Sequence, residues 1–212
     1  MTVRLARAGS AKRFCRAHWM RTWRGLPSPG ATSPATSLIS FDSRVRVCNA
    51  ACHSGHVQTL YERVGGADGL LRLASGWHAR VMADDVVSHA FSHGFHPEHT
   101  ERLAAYWAEA LGGPSTYSDS YGDETSVVRM HSGNGAHEDM DRRAIACFDQ
   151  ALADVGIAGD EALRRSLHDY FEWSTTTTMS RYHRSADDVP DGLRIPQWSW
   201  DGLVTGTGPD GN

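Results

Sequence analysis

From Val57 onward, apolar residues return every three or four positions in blocks that end at glycine, and this rhythm constrains the fold more than any other feature. No stretch of four or more residues alternates apolar with polar, so the fold class is all-α. Residues 58–64 set Leu60, Tyr61 and Val64 at helical spacing before Gly65-Gly66 stops them. Residues 68–82 carry Leu70, Leu71, Leu73, Trp77 and Val81 on one face, with His78 beside it. Asp84-Asp85 caps a short helix over 86–91, which ends at the polar SHGFHP loop. Pro97 suits a first helical turn, so a helix is predicted from there to Leu111, breaking at Gly112-Gly113-Pro114. Its His99, Leu103, Tyr106, Trp107 and Ala110 share an aromatic face. Residues 117–123 form a polar connection, long enough to suggest a function.

After that connection, VVRMHSGNG reads as a short helix that stops just past His131, holding the imidazole firmly while it faces a loop. Helices over 138–155 and 160–179 follow, separated by a turn at 156–159. Met140, Ala144, Ile145, Phe148, Leu152 and Val155 line one side of the first; the second carries Leu163, Leu167, Tyr170, Phe171 and Trp173. A run of four threonines near residue 178 reads as fraying toward a helix end, because branching at Cβ restricts χ1, rather than as a polar pocket lining. The tail RIPQWSWDG is expected to fold back onto the body through Trp198 and Trp200, with the last ten residues disordered.

A chain of 212 residues, 40% hydrophobic, can bury one sizeable core, and no apolar run approaches the ~20 residues of a membrane span. Its net charge of −4 conceals an asymmetry. Residues 1–56 hold nine Lys/Arg against the single acid Asp42, about +8, which leaves about −12 for the remainder. That first segment is Arg-rich and then Pro/Ser/Thr/Ala-rich without a buried face, so a disordered extension is expected. It has no apolar h-region for a secretory signal. An organelle transit peptide or a basic arm for nucleic acid fits its charge, but a dispensable tail or translated upstream stretch is the favoured reading, and nucleic-acid binding is not expected. Cys48, Cys52 and His53 are zinc-ligand types without a fourth partner nearby, and Cys147 reads as a small core residue. Four cysteines make no disulfide scaffold, which fits a reducing cytoplasm.

TLYERVGG opening the body, LGGP closing a helix, TYSDSYG leading to Arg-Met-His, and two long helices beyond resemble the bacterial truncated haemoglobins of group II. The resemblance spans residues 57–182, and the RIPQWSW tail is similar to an extension on actinobacterial members. It implies a two-over-two helical sandwich around one haem (iron protoporphyrin IX). The expected organisation is thus an extension over 1–56, a truncated globin domain over 57–183 and a partly packed tail over 184–212.

By position, His131 matches the proximal iron ligand, whose second ring nitrogen should bond a carbonyl or water. Phe91 matches the aromatic wedged against the porphyrin, although plain core packing would account for it equally. His99 falls at the distal gate, Leu103 one turn later over the iron, and Tyr106 and Trp107 beyond. Tyr117, in the TY after GGP, is counted with the cofactor-binding residues. The chain departs from the family at two places. His78, preceded by Trp77, stands where tyrosine is usual, and Ala144 stands where many members have an interior tryptophan, which should enlarge or wet the pocket. Ligation of the iron by His78 or His99 is open on these residues alone.

Three functions compete. The first is reversible binding of oxygen or another diatomic gas, for storage or transport. The second is a haem-dependent redox enzyme acting on nitric oxide or peroxide with His78 or His99 as proton donor. No G-x-G-x-x-G follows a strand, so an external reductase would be its partner. The third is a helical bundle without haem whose basic arm binds nucleic acid. A homodimer is compatible with all three.

Overall fold

The computed structural model describes residues 57–205; the expectations that fall on 1–56, including the Cys48, Cys52 and His53 grouping, and on 206–212 lie outside the described residues. Thr59 starts the first helix with a reciprocal cap: its hydroxyl accepts from the Glu62 N–H at 3.1 Å, and the Glu62 carboxylate accepts from the Thr59 N–H at 2.8 Å. That helix, α1, spans Leu60–Arg63, and α2 follows at Gly66–Ala83. A 3-10 turn, Val87–Phe91, is held by Asp84, whose carboxylate accepts from the Val86 and Val87 N–H groups.

Helix α3 runs His99–Ala110, two residues later than Pro97 suggests. The delay has a local cause: His96 Nδ1 accepts from the Glu98 N–H at 3.0 Å, holding the preceding turn open. At its other end Gly112 takes φ +88, and a Cβ on Gly113 would sit 2.7 Å from the Tyr61 ring, so this break allows α1 to pack against the end of α3. The polar connection expected over 117–123 is partly helical: α4 spans Thr116–Ser120 and buries Tyr117. Polarity concealed this helix, because its single apolar contact is one aromatic ring.

Helix α5 is Glu124–His131, α6 is Glu138–Asp154 and α7 is Glu161–Trp173. The threonines do not fray. Ser174–Met179 winds as a π-helical turn, with the Ser180 N–H on the Thr175 carbonyl five residues back. The tail carries a two-residue hairpin, β1 (Trp198–Ser199) against β2 (Gly202–Leu203), too short for a sequence alternation to reveal. Leu203 and the Val204 N–H, which bonds the Gln197 carbonyl at 2.8 Å, are therefore ordered, contrary to the expectation for the last ten residues. Trp198 packs on Tyr170 and Trp173, and Trp200 Nε1 donates to the Gln58 carbonyl at 2.7 Å.

Helices α2 and α3 pack on each other, α6 and α7 form a second pair, and α2 lies across α6, giving the expected two-over-two arrangement. Its centre is aromatic. Phe148 of α6 and Phe171 of α7 stack at 4.1 Å and 3°, with Trp107 of α3 edge-on to both and Trp77 of α2 beside Trp107 and Phe171. Leu60, Leu70, Leu73, Leu111, Leu152 and Leu167 complete it. Each such side chain contributes roughly 1.5–3 kcal/mol of transfer free energy when removed from water. Among the described residues no helix is long and apolar enough to cross a membrane.

Candidate functional site

Asp123 caps α5 by accepting from the Ser126 N–H at 2.7 Å, and Ser132 ends it with its hydroxyl on the Val128 carbonyl. Between these caps His131 is half-buried, with Nδ1 2.8 Å from the Val127 carbonyl one turn back. A carbonyl can only accept, so Nδ1 carries the proton and the lone pair resides on Nε2, the tautomer suited to metal ligation. Burial lowers the pKa of this imidazole while the Val127 carbonyl opposes the shift, which favours the neutral ring.

Three sequence-selected residues come together from α2, the 3-10 turn and α3. His78 lies 5.3 Å from Phe91 and 5.1 Å from His99, ring centre to ring centre, and Phe91 lies 5.3 Å from His99. Phe95, which the polar look of SHGFHP hid, completes the cluster at 4.7 Å from His78 and 5.8 Å from His99. His78 Nδ1 and His99 Nε2 are both buried with no hydrogen-bond partner among the described residues. Leaving such groups unpaired costs about 1–3 kcal/mol each, so they point to an absent partner. Burial, with positive charge on His78, His131 and His96 as lesser causes, pushes the His99 imidazole down to about 4. Burial lowers His78 as well.

The other candidates sit farther into the fold. Leu103, one turn along α3 from His99, is half-buried against the central core. Trp107 belongs to the aromatic centre rather than to the histidine cluster. Tyr117 is packed against Tyr106 and Tyr121, and burial raises its hydroxyl to about 12. Ala144 lies beside Val81, Val87 and Cys147, and its carbonyl accepts from Trp77 Nε1 at 3.1 Å.

A polar group that sequence reasoning missed joins α3 to the head of α5. Tyr106 donates its hydroxyl to Glu124 Oε2 at 2.8 Å, both side chains being buried. Burial raises the Glu124 carboxyl to about 7 against the opposing hydrogen bond from Tyr106. An acid at a helix start looks solvated in sequence, and only the tyrosine one helical turn past Leu103 hinted at a buried partner.

Residues 59–175 match the family model described as bacterial-like globin. Among solved structures, the haemoglobin of the thermophilic phototrophic bacterium Chloroflexus aurantiacus is 26% identical, with a TM-score of 0.50 over 58% of this chain and 98% of its own. The group II truncated haemoglobin of Bacillus anthracis is 19% identical, with a TM-score of 0.53 over 60% of this chain and 95% of its own, a likeness of fold. With more than half its length matched by that model and its helices paired two over two, the chain belongs to the bacterial-like globin family.

Proposed function

We propose that this globin holds haem between α5 and the cluster of His78, Phe91, Phe95 and His99, with His131 as the iron ligand, and that it binds oxygen or another diatomic gas reversibly. The family implies the cofactor, and the residues present fit it. One observation carries the reading: His78 Nδ1 and His99 Nε2 are buried in one ring cluster with no hydrogen-bond partner among the described residues, while the Val127 carbonyl sets the His131 tautomer for ligation.

When bound, haem supplies the iron at which a diatomic gas is taken up and released. His131, its tautomer fixed by the Val127 carbonyl, would hold the iron through Nε2. His99 and His78 would present ring N–H groups to a diatomic gas held beside them and so retain it. Phe91 and Phe95 limit water at the same place, and Leu103 closes the distal wall one turn on. Trp107, Tyr117 and Ala144 act from behind by fixing the shape of the walls. The low pKa of His99 keeps it a neutral donor rather than a charged acid, which supports gas binding over acid-assisted peroxide chemistry.

The test is a visible spectrum of protein made with haem available, followed by titration with carbon monoxide. A Soret band that shifts on adding the gas, and that His131→Ala abolishes, is the expected result. A colourless protein, or a spectrum indifferent to His131→Ala, overturns the proposal. Rapid nitric oxide consumption with an added reductase would instead assign the haem protein to redox catalysis.

A further inference from the structure

Helix α5 has eight residues, about two turns, and so short a helix is marginal in water without tertiary support. Support comes from the segment 182–195, beyond α7, and it falls on one face. Thr125 is buried, and its hydroxyl both donates to the Pro190 carbonyl at 3.2 Å and accepts from the Leu193 N–H at 3.0 Å. One turn on, Arg129 Nη2 donates to the Val189 carbonyl at 3.2 Å and to Asp191 at 2.8 Å. Past the helix end the Gly133 and Gly135 N–H groups bond the Tyr182 and His183 carbonyls at 3.0 and 2.9 Å. Gly133 adopts φ +73, and a Cβ there would meet the Ala186 nitrogen at 3.3 Å, so the two strands of chain are closely apposed.

Residues 125 and 129 lie four apart, hence on one face, whereas 127 and 131 lie on the face about 200° away. The polar bonds thus hold α5 from behind while His131 points the other way. Val189 and Ile195, both buried, anchor the segment between those bonds. Asp191 is 90% exposed, so its ion pair contributes little, and the bonds to backbone carbonyls and to Leu193 do the holding.

We infer that residues 182–195 are a brace that sets the position of α5, and that Thr125 and Arg129 are positioning residues for the His131 imidazole. The consequence for haem rests on the function proposed above; the brace itself does not. Hydrogen exchange of the full haem-free chain tests the brace alone. Thr125→Val keeps the shape but deprives the Pro190 carbonyl and the Leu193 N–H of their partner. It should speed exchange of the 127–131 amides roughly tenfold while those of α2 and α6 keep their protection, and Thr125→Ser should restore it. In the haem-loaded protein the same substitution should speed haem loss and shift the iron–imidazole stretching frequency, again with rescue by serine. Should Thr125→Val fail to fold, Arg129→Ala is measured in the same way. Unchanged exchange in α5, or an equal rise in every helix, overturns the brace; exchange that rises only in α5 in a chain taking up no haem upholds it and overturns only the proposed function.

Discussion

The two sides of the candidate site are held by different physics. Behind His131, α5 is fixed by directed polar bonds: the Val127 carbonyl on the ring, Asp123 at its head, and the carbonyls of residues 182–190 along its back. In the cluster proposed to face it, His78, Phe91, Phe95 and His99 touch through their rings, two buried nitrogens have no partner among the described residues, and Phe95 is 49% exposed. One side is over-determined and the other is left unsatisfied. That division suits a site in which one imidazole must not move while its counterparts wait for a ligand.

The contrast extends to protons, and here the largest effect is expected. Glu124, at the head of α5, is raised from 4.5 to about 7, so its folded state holds a proton that the unfolded chain has released. Its contribution to stability is complete below about pH 4.5 and is lost as pH rises through 7. His99 runs the other way. Its folded pKa near 4 lies below the ordinary 6.5, so stability is present above 6.5 and is lost as pH falls toward 4. The haem-free chain should therefore weaken at both ends, each from a different side of the site. Glu124→Gln keeps an acceptor for Tyr106 and removes the buried charge; at pH 8 it should stabilise by up to about 3 kcal/mol, with little effect at pH 4.5. Urea unfolding at both values checks this, and an equal change at the two would place the alkaline weakness elsewhere.

The distal side should trade in the opposite currency, function against stability. His99→Leu removes a buried nitrogen that has no partner among the described residues, so the haem-free chain should be unchanged or about 1 kcal/mol more stable, and its loss of stability between pH 6.5 and 4 should diminish. In the loaded protein the same change should speed oxygen release roughly tenfold, about 1.4 kcal/mol. Stopped-flow release rates beside urea midpoints give both numbers. A large loss of stability would mean that His99 is a packing residue and that the sides differ less than their hydrogen bonds suggest.

Each side was readable from sequence only in part. His131, Phe91, His78 and His99 were singled out by their positions in the family resemblance, and three of the four meet in one cluster. The helices followed from their apolar spacing, whereas their two-over-two pairing was what the resemblance to truncated haemoglobins implied. Phe95 was hidden by its polar neighbours, and Glu124 by its position at a helix start, where an acid is ordinarily solvated. The brace was invisible for a deeper reason: its bonds join the backbone carbonyls of Val189 and Pro190 to α5 across 60 and 65 positions, and backbone groups leave no signature in side-chain patterning. The π turn at 174–179 was misread because branched side chains argue against an ordinary helix without specifying what replaces it.

The smallest effect tests where the brace ends. Beyond Ile195 the chain enters the hairpin, whose Trp198 rests on Tyr170 and Trp173 and whose Trp200 donates to the Gln58 carbonyl at the entrance to α1. Trp200→Phe retains a ring and removes that donor. The bond is exposed, so water can replace it at the carbonyl, and the cost should be at most about 1 kcal/mol. Its distribution matters more than its size. If the hairpin anchors the brace, amides of 197–204 and then those of α5 should exchange faster, in that order, while α3 and the region around His99 keep their protection. Exchange confined to the hairpin would show that Val189 and Ile195 hold the brace without it, and the proximal side would then owe its rigidity to residues 182–195 alone.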